Sequence, residues 1–226
     1  VVVGAGDRNT VGYDAERKKF YVITRIPNRD KRTCGLWESD DGKKFDFIRE
    51  IAAPDERDPA GTEFYGMITF PYAGLRLGFL EPYFVPLRKL NTQLMYSLDG
   101  LDWRHAPGRQ TFLDWGPPGS WDDTWAIPSH NPPYLRGDKL FIFYQGRETL
   151  HNAEPPYGHI GSIGLATLRI DGFVSLDGQN VPGTVTTTPL LLEGNTLHVN
   201  AIARPGSVTA EIIDENGSPI PGCERA

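Results

Sequence analysis

Cysteine and methionine are scarce, two of each in 226 residues. Cys34 and Cys223 stand too far apart to decide a redox compartment, and Cys34 sits in an apolar strand pattern where a lone thiol reads as packing. Long apolar runs are missing: none approaches the roughly 18 residues a membrane-spanning helix needs. Positive charge is also in short supply. The formal net charge is −6, and no basic run is interleaved with aromatics, so nucleic acid is not an expected partner. No group of His, Cys and Asp has metal-ligand spacing. Val1–Gly6 resembles a dinucleotide fingerprint only until its third glycine, which is absent, and Thr10-Val11-Gly12-Tyr13-Asp14 is no helix start. Helix signals fail elsewhere too. Asp55 to Ala60, the most helix-like polar stretch, is flanked by Pro54 and interrupted by Pro59.

What remains is a chain of short strands. The 25 glycines and 19 prolines suit many turns. Phe20–Thr24, Leu75–Leu80 and Leu140–Tyr144 are continuous β-type runs without polar alternation, a pattern that asks for cover on both faces. Each follows its own turn: Asp14–Lys19, Tyr72-Ala73-Gly74 and Arg136-Gly137-Asp138. Before each of these hairpins comes an acid that leads into an apolar stretch: Asp7 before Val11–Tyr13, Glu63 before Ile68–Tyr72, and Asp122 with Asp123 before Trp125–Ile127. Asp7 and Glu63 are 56 residues apart, Glu63 and Asp122 59.

A second repeat has the same period. Leu36–Phe45 and Leu94–Trp103 align at an offset of 58, Ser39 on Ser97, Asp41 on Asp99, Gly42 on Gly100 and Phe45 on Trp103. Asp-Gly between β-patterned segments marks a hairpin, and the trailing aromatic covers it. A looser copy runs from Leu165 to Phe173. These boxes read as structural turns rather than ligand loops.

Four strands per unit of about 58 residues describe a β-propeller blade. The expected fold is all-β: a partial propeller over 1–178, three four-stranded blades of an expected five, followed by the start of a β-sandwich over 179–226. The chain begins at Val1 without a methionine and reads as a fragment. Missing blades are expected upstream, and a targeting segment is undecided. In the second segment Thr184–Thr188, Leu197–Ala201 and Val208–Ile213 read as strands. Asp214–Gly217 reads as a hairpin turn, a likelier meaning for Asn216-Gly217-Ser218 than a glycosylation acceptor.

Acids at equivalent inner-strand starts of a propeller converge on its central funnel. Facing carboxylates are what glycosidic cleavage needs, one protonated to assist the leaving oxygen and another as base or nucleophile. Tyr65, Trp121 and Trp125 offer flat faces for sugar rings, and Arg8, Asn9 and His130 offer polar contacts. Each residue has a structural alternative. Glu63 as a buried tie between blades, Asp7 in an ion pair with Arg8, one of Asp122 and Asp123 as a turn residue, and His130 as a satisfied loop histidine all stay open. Arg147, Glu148 and His151 read as solvated loop or as a rim.

Asp7-Arg8-Asn9-Thr10, Gly61-Thr62-Glu63-Phe64-Tyr65-Gly66-Met67 and Pro118-Gly119-Ser120-Trp121-Asp122-Asp123 together resemble uncharacterised bacterial proteins related to five-bladed glycoside hydrolases. That superfamily includes the invertase/levanase-like and arabinanase/xylosidase-like enzymes. The resemblance covers residues 1–178, and the segment after it is similar to the sandwich that trails such propellers. It implies a glycoside hydrolase acting on a poly- or oligosaccharide, with Glu63 as general acid, Asp7 as supporting carboxylate and Asp122 as a third funnel acid. Arg8, Asn9, Tyr65, Trp121, Asp123 and His130 become substrate contacts. The motif around the glutamate departs from that of the characterised families, and their first-blade acid has no counterpart in this sequence. A non-catalytic carbohydrate-binding propeller is the alternative. No cofactor is implied; a structural calcium ion on the funnel axis is left open, with no residue arguing for it. An extracellular or periplasmic setting suits a polysaccharide-acting protein, and nothing in the sequence argues an oligomeric state.

Overall fold

The computed structural model describes residues 6–27, 29–153, 161–178, 181–192 and 194–223. Val1–Ala5, read above as a strand end and turn, and the expected boundary at Gln179 lie outside them. Among the described residues every regular element is a strand apart from one 3-10 turn, Pro107–Arg109, and no helix is long and apolar enough to cross a membrane. The chain divides into two compact units, 1–170 and 171–226.

The first unit is a series of antiparallel meanders. The first comprises β1 (Thr10–Asp14), β2 (Lys19–Arg25), β3 (Cys34–Ser39) and β4 (Asp46–Ala52), in sheet order. The second comprises β5 (Thr62–Tyr72), β6 (Leu75–Phe84) and β8 (Thr92–Ser97), with β9 (Arg104–His105) and β10 (Thr111–Leu113) both paired to β8. In the third, β13 (Lys139–Arg147) pairs with β14 (Gly161–Arg169), with β11 (Trp125–Pro128) and with β12 (Tyr134–Arg136). A short β7 (Lys89–Leu90) turns back on β6 and meets β11 in a parallel bridge, Leu90 to Trp125, which joins the second and third meanders edge to edge.

Local chemistry explains the turns. Ala73 and Gly74 between β5 and β6 both have positive φ, 47° and 77°, the geometry of a two-residue hairpin loop that follows the strand twist. The two aligned boxes are structural turns built alike. The Ser39 hydroxyl accepts from the Gly42 amide (2.9 Å) and Asp41 from those of Lys43 and Lys44 (2.8 and 3.2 Å). Ser97 and Asp99 do the same for Gly100, Leu101 and Asp102. The Trp103 indole closes its turn onto the Gly100 carbonyl at 3.1 Å.

The sheets pack face to face. Ile23, Cys34, Leu36 and Ile51 of the first meander form one core with Phe64, Met67, Leu80 and Met95 of the second. Each such side chain stabilises by about 1.5–3 kcal/mol through burial. Tyr65, Tyr83 and Leu90 pack in turn against Trp125 and Ile127 of the third.

Cover on both faces holds fully only for β6, which is buried from Leu77 to Tyr83. In β2 it is confined to Val22–Thr24, while Phe20 is exposed. In β13 only Leu140, Ile142 and Gly146 are buried, and Phe143 is exposed. Among the described residues, the middle meander packs against the first through one cluster and against the third through another.

In the second unit the strands expected over 184–188, 197–201 and 208–213 are not formed. The described residues there contain one isolated bridge, Ile213 to Pro219, around the Asp214–Gly217 turn. Val185, Leu191, Val199 and Ile202 are exposed. A β-type run becomes a sandwich strand only when a facing sheet takes its apolar side, and none does so among the described residues.

Candidate functional site

The site is built where β5 is irregular. Phe64 pairs with Pro82 and Met67 with Leu80, so Tyr65 and Gly66 together oppose the single residue Glu81. Such a bulge leaves one residue out of the ladder and re-aims its side chain. Here it accommodates the side chain of Arg8, in the lead-in to β1. A Cβ on Gly66 would stand 2.5 Å from Arg8 Cγ and 2.9 Å from Glu81 Oε2, so only glycine admits what passes over it.

What passes is an ion pair. Arg8 donates through Nε to both oxygens of Glu81 (3.0 and 2.7 Å) and through its terminal nitrogen to Glu81 and to the Pro128 carbonyl (2.9 Å). Glu81 is fully buried. Burial works against the charge on Arg8, but the Glu81 carboxylate outweighs it and holds the guanidinium pKa above its ordinary value. One side chain thereby ties all three meanders together. Asp7 does not pair with Arg8, the alternative the sequence left open; its partner is Arg25.

Tyr65 is the buried centre of the group. Its ring packs against Tyr83, Trp125 and His151, with centroids 6.2, 5.9 and 5.3 Å away. Its hydroxyl donates to Asp7 Oδ2 at 3.2 Å and lies 3.3 Å from His151 Nε2. Burial first, and then the charge of Asp7, raise the phenol pKa, so the hydroxyl is a hydrogen-bond donor rather than a nucleophile at neutral pH. Arg25 and Arg32 lie over the same ring, 5.4 and 5.7 Å from its centre. Arg25 pairs with Asp7, and Arg32 with Glu63. Asp7 and Glu63 are therefore each paired with an arginine over the same buried ring. The Asp7 side chain is 66% exposed and that of Glu63 18%, so both have access to solvent.

Asp122 has a different setting. It is buried beneath Trp121, accepting from Ser120 and from the Tyr144 hydroxyl at 2.8 Å each. Trp121 stacks on Tyr144 and lies against Gly146 and Gly164, where a Cβ would stand 2.2 and 2.5 Å from the indole. Asp123 Oδ2 accepts from the Gly119 amide at 2.7 Å, a turn contact. Asn9 is held by the Gly6 carbonyl and Thr24. His130 lies exposed at the surface, its pKa lowered by partial desolvation and then by the Arg8 charge.

Of the residues read as solvated loop or rim, Arg147 ends β13 and His151 is buried, and both belong to the group around Tyr65. The His151 ring lies nearly parallel to Trp125 (7°, centroids 5.4 Å apart), and the Arg147 guanidinium stands 3.9 Å above the centre of that indole. Burial lowers the Arg147 pKa, and the nearby Arg8 charge lowers it further, partly offset by Tyr65. Among the described residues no group of three or more His, Cys, Asp and Glu could hold a metal ion.

Sequence reasoning passed over Glu81, Arg25 and Arg32. Glu81 had a signal: it is the lone charge in Leu77-Gly78-Phe79-Leu80-Glu81-Pro82-Tyr83-Phe84, and a carboxylate in a buried strand requires a cation. The two arginines carry no local signal.

No protein-family model matches the chain, and no curated protein matches it. Solved structures do match its fold. A family 117 glycoside hydrolase, Zg3597, from the marine bacterium Zobellia galactanivorans superposes with a TM-score of 0.55 at 13% identity, over 71% of this chain and 51% of that one. A β-1,2-mannobiose phosphorylase from Listeria innocua, solved with β-1,2-mannobiose, gives 0.53 at 15%, over 73% and 41%. At these identities the likeness is one of fold. The chain spans about half or less of each of those proteins.

Proposed function

We propose that this chain is part of a carbohydrate-active β-propeller, its meanders serving as blades, that cleaves glycosidic bonds of a poly- or oligosaccharide. The observation that carries this reading is that Asp7 and Glu63, from separate meanders, each pair with an arginine that lies over the Tyr65 ring. Tyr65 itself is buried beneath Arg25 and Arg32, so sugar hydroxyls would meet the guanidiniums and carboxylates above it, and such carboxylates can supply the acid and the base or nucleophile of glycoside cleavage. In this scheme Glu63 protonates the leaving oxygen, Asp7 supports the charge that develops, and Asp122 acts as the third funnel acid. Arg8, Asn9, Trp121, Asp123 and His130 serve as contacts or supports. The stacking of successive sheets and the fold of the two carbohydrate-active neighbours support the same reading.

A specific observation favours a second reading, a propeller that binds carbohydrate without cleaving it: Asp7 and Glu63 each already hold an arginine. One experiment separates the two. The full-length protein is assayed for cleavage on a broad glycan panel, with and without inorganic phosphate, because both a hydrolase and a phosphorylase share the fold. Cleavage that falls about 10²- to 10⁴-fold in Glu63→Gln, with binding retained, supports catalysis. Binding without turnover in the unaltered protein supports the second reading. Neither binding nor turnover on any glycan overturns both.

A further inference from the structure

A cavity of about 590 Å³ opens beside the end of β4, bounded by β9 and the 3-10 turn, and shares no lining residue with the Tyr65 site. Its apolar side includes Ile51 and Trp103, and its polar side Arg57, Arg104, His105 and Arg109. The volume falls within the range of small-molecule sites.

The hydrogen-bonding capacity left on this polar side is one-sided. Asp55, the carboxylate in the lining, takes both terminal nitrogens of Arg109 and the Arg57 amide. The buried Asp58 takes Arg109 as well, at 2.9 Å. The acceptors are thus occupied, while donors remain. The charged head of Arg104 has no ion-pair partner among the described residues, and that of Arg57 lies 4.0 Å from Asp55 with its side chain 70% exposed. A simple ion would leave most of the volume and the whole apolar side unused.

We propose that this cavity is a second binding site, for an acidic saccharide: a sugar ring against Trp103, and its carboxylate or sulfate on Arg57 and Arg104. The inference stands apart from the catalytic reading, since none of these residues takes part in it.

The test follows the Trp103 indole N–H by NMR, a reporter inside the cavity, while the full chain is titrated with digalacturonic acid, a neutral galactose disaccharide and sodium sulfate in turn. Digalacturonic acid is expected to shift the resonance saturably, with affinity falling as salt rises. The double variant R57Q/R104Q changes two exposed side chains and should weaken that binding by about tenfold or more, the effect of losing charge-assisted hydrogen bonds. Equal affinity for the neutral disaccharide would remove the acidic group from the proposal. Sulfate binding as tightly as the sugar acid would remove the saccharide. An unmoved resonance, or unchanged binding in the double variant, would overturn the site altogether.

Discussion

Arg8 and Glu81, 73 residues apart, form a two-pronged ion pair whose carboxylate is fully buried and whose guanidinium also reaches the Pro128 carbonyl of the third meander. Removing one member of such a pair strands the other charge in a low-dielectric interior. Glu81→Gln should therefore lower stability by about 3–5 kcal/mol, read from urea unfolding. Replacing both members by apolar residues of similar volume, Arg8→Met with Glu81→Leu, should recover much of that loss. A Glu81→Gln midpoint matching that of the unaltered protein would show that the pair does not hold the meanders together.

Gly66 is predicted to be intolerant for a reason tied to that pair. A methyl group would meet Arg8 Cγ at 2.5 Å, and neither Arg8 nor Glu81 is free to swing away. Gly66→Ala should cost about 1–3 kcal/mol, the range for overpacking. In an Arg8→Ala background the obstruction is gone, so the same substitution should cost markedly less. Additive effects in that double-mutant cycle would contradict the contact.

These two residues also show what the sequence could convey. β2, β5, β6 and β13 were legible because uninterrupted β-branched and aromatic runs between turn residues have few other solutions. The two Ser-x-Asp-Gly turns were legible because their hydrogen bonds are local, reaching two or three residues along the chain. The site was legible only in outline. Asp7, Glu63 and Tyr65 stood out as an acid-aromatic repeat, but their arginine partners lie 18 and 31 residues away with no pattern to announce them. The one-residue slip that sets Tyr65 and Gly66 against Glu81 depends on strand register, which composition does not encode. The runs after residue 180 misled for a related reason. β propensity states what a segment suits, and a partner sheet decides whether it pairs.

Cys34 and Cys223 should differ sharply towards thiol reagents. Cys34 is fully buried in β3, and burial pushes its thiol pKa far above the ordinary value; Cys223 is partly exposed. Because the thiolate is the reacting species, iodoacetamide at pH 8 should label Cys223 in the native protein and Cys34 only after unfolding. Native labelling of Cys34 at the rate of Cys223 would contradict its placement in the core between the first two meanders.

Acid should weaken the fold in two stages. Burial depresses the pKa of His105, as does the Arg109 charge, and partial desolvation followed by the Arg8 charge depresses that of His130. The unfolded chain then takes up protons on these rings before the folded one does. Their contribution is present above about pH 6.5 and is lost as pH falls through the folded values. Asp55, bonded first by Arg109 and then by the Arg57 amide, is held at about 2, and Asp99, held by the amides of Asp102 and Leu101, also at about 2. Their contribution is present above about 3.8 and is lost as pH falls towards 2. Asp55→Asn isolates part of the second stage. A protonated aspartate resembles asparagine in charge, so the variant should melt below the unaltered protein at pH 7 and draw level with it near pH 2. A gap in Tm that stays constant from pH 5 to pH 2 would mean that the Asp55–Arg109 pair adds nothing to the folded state.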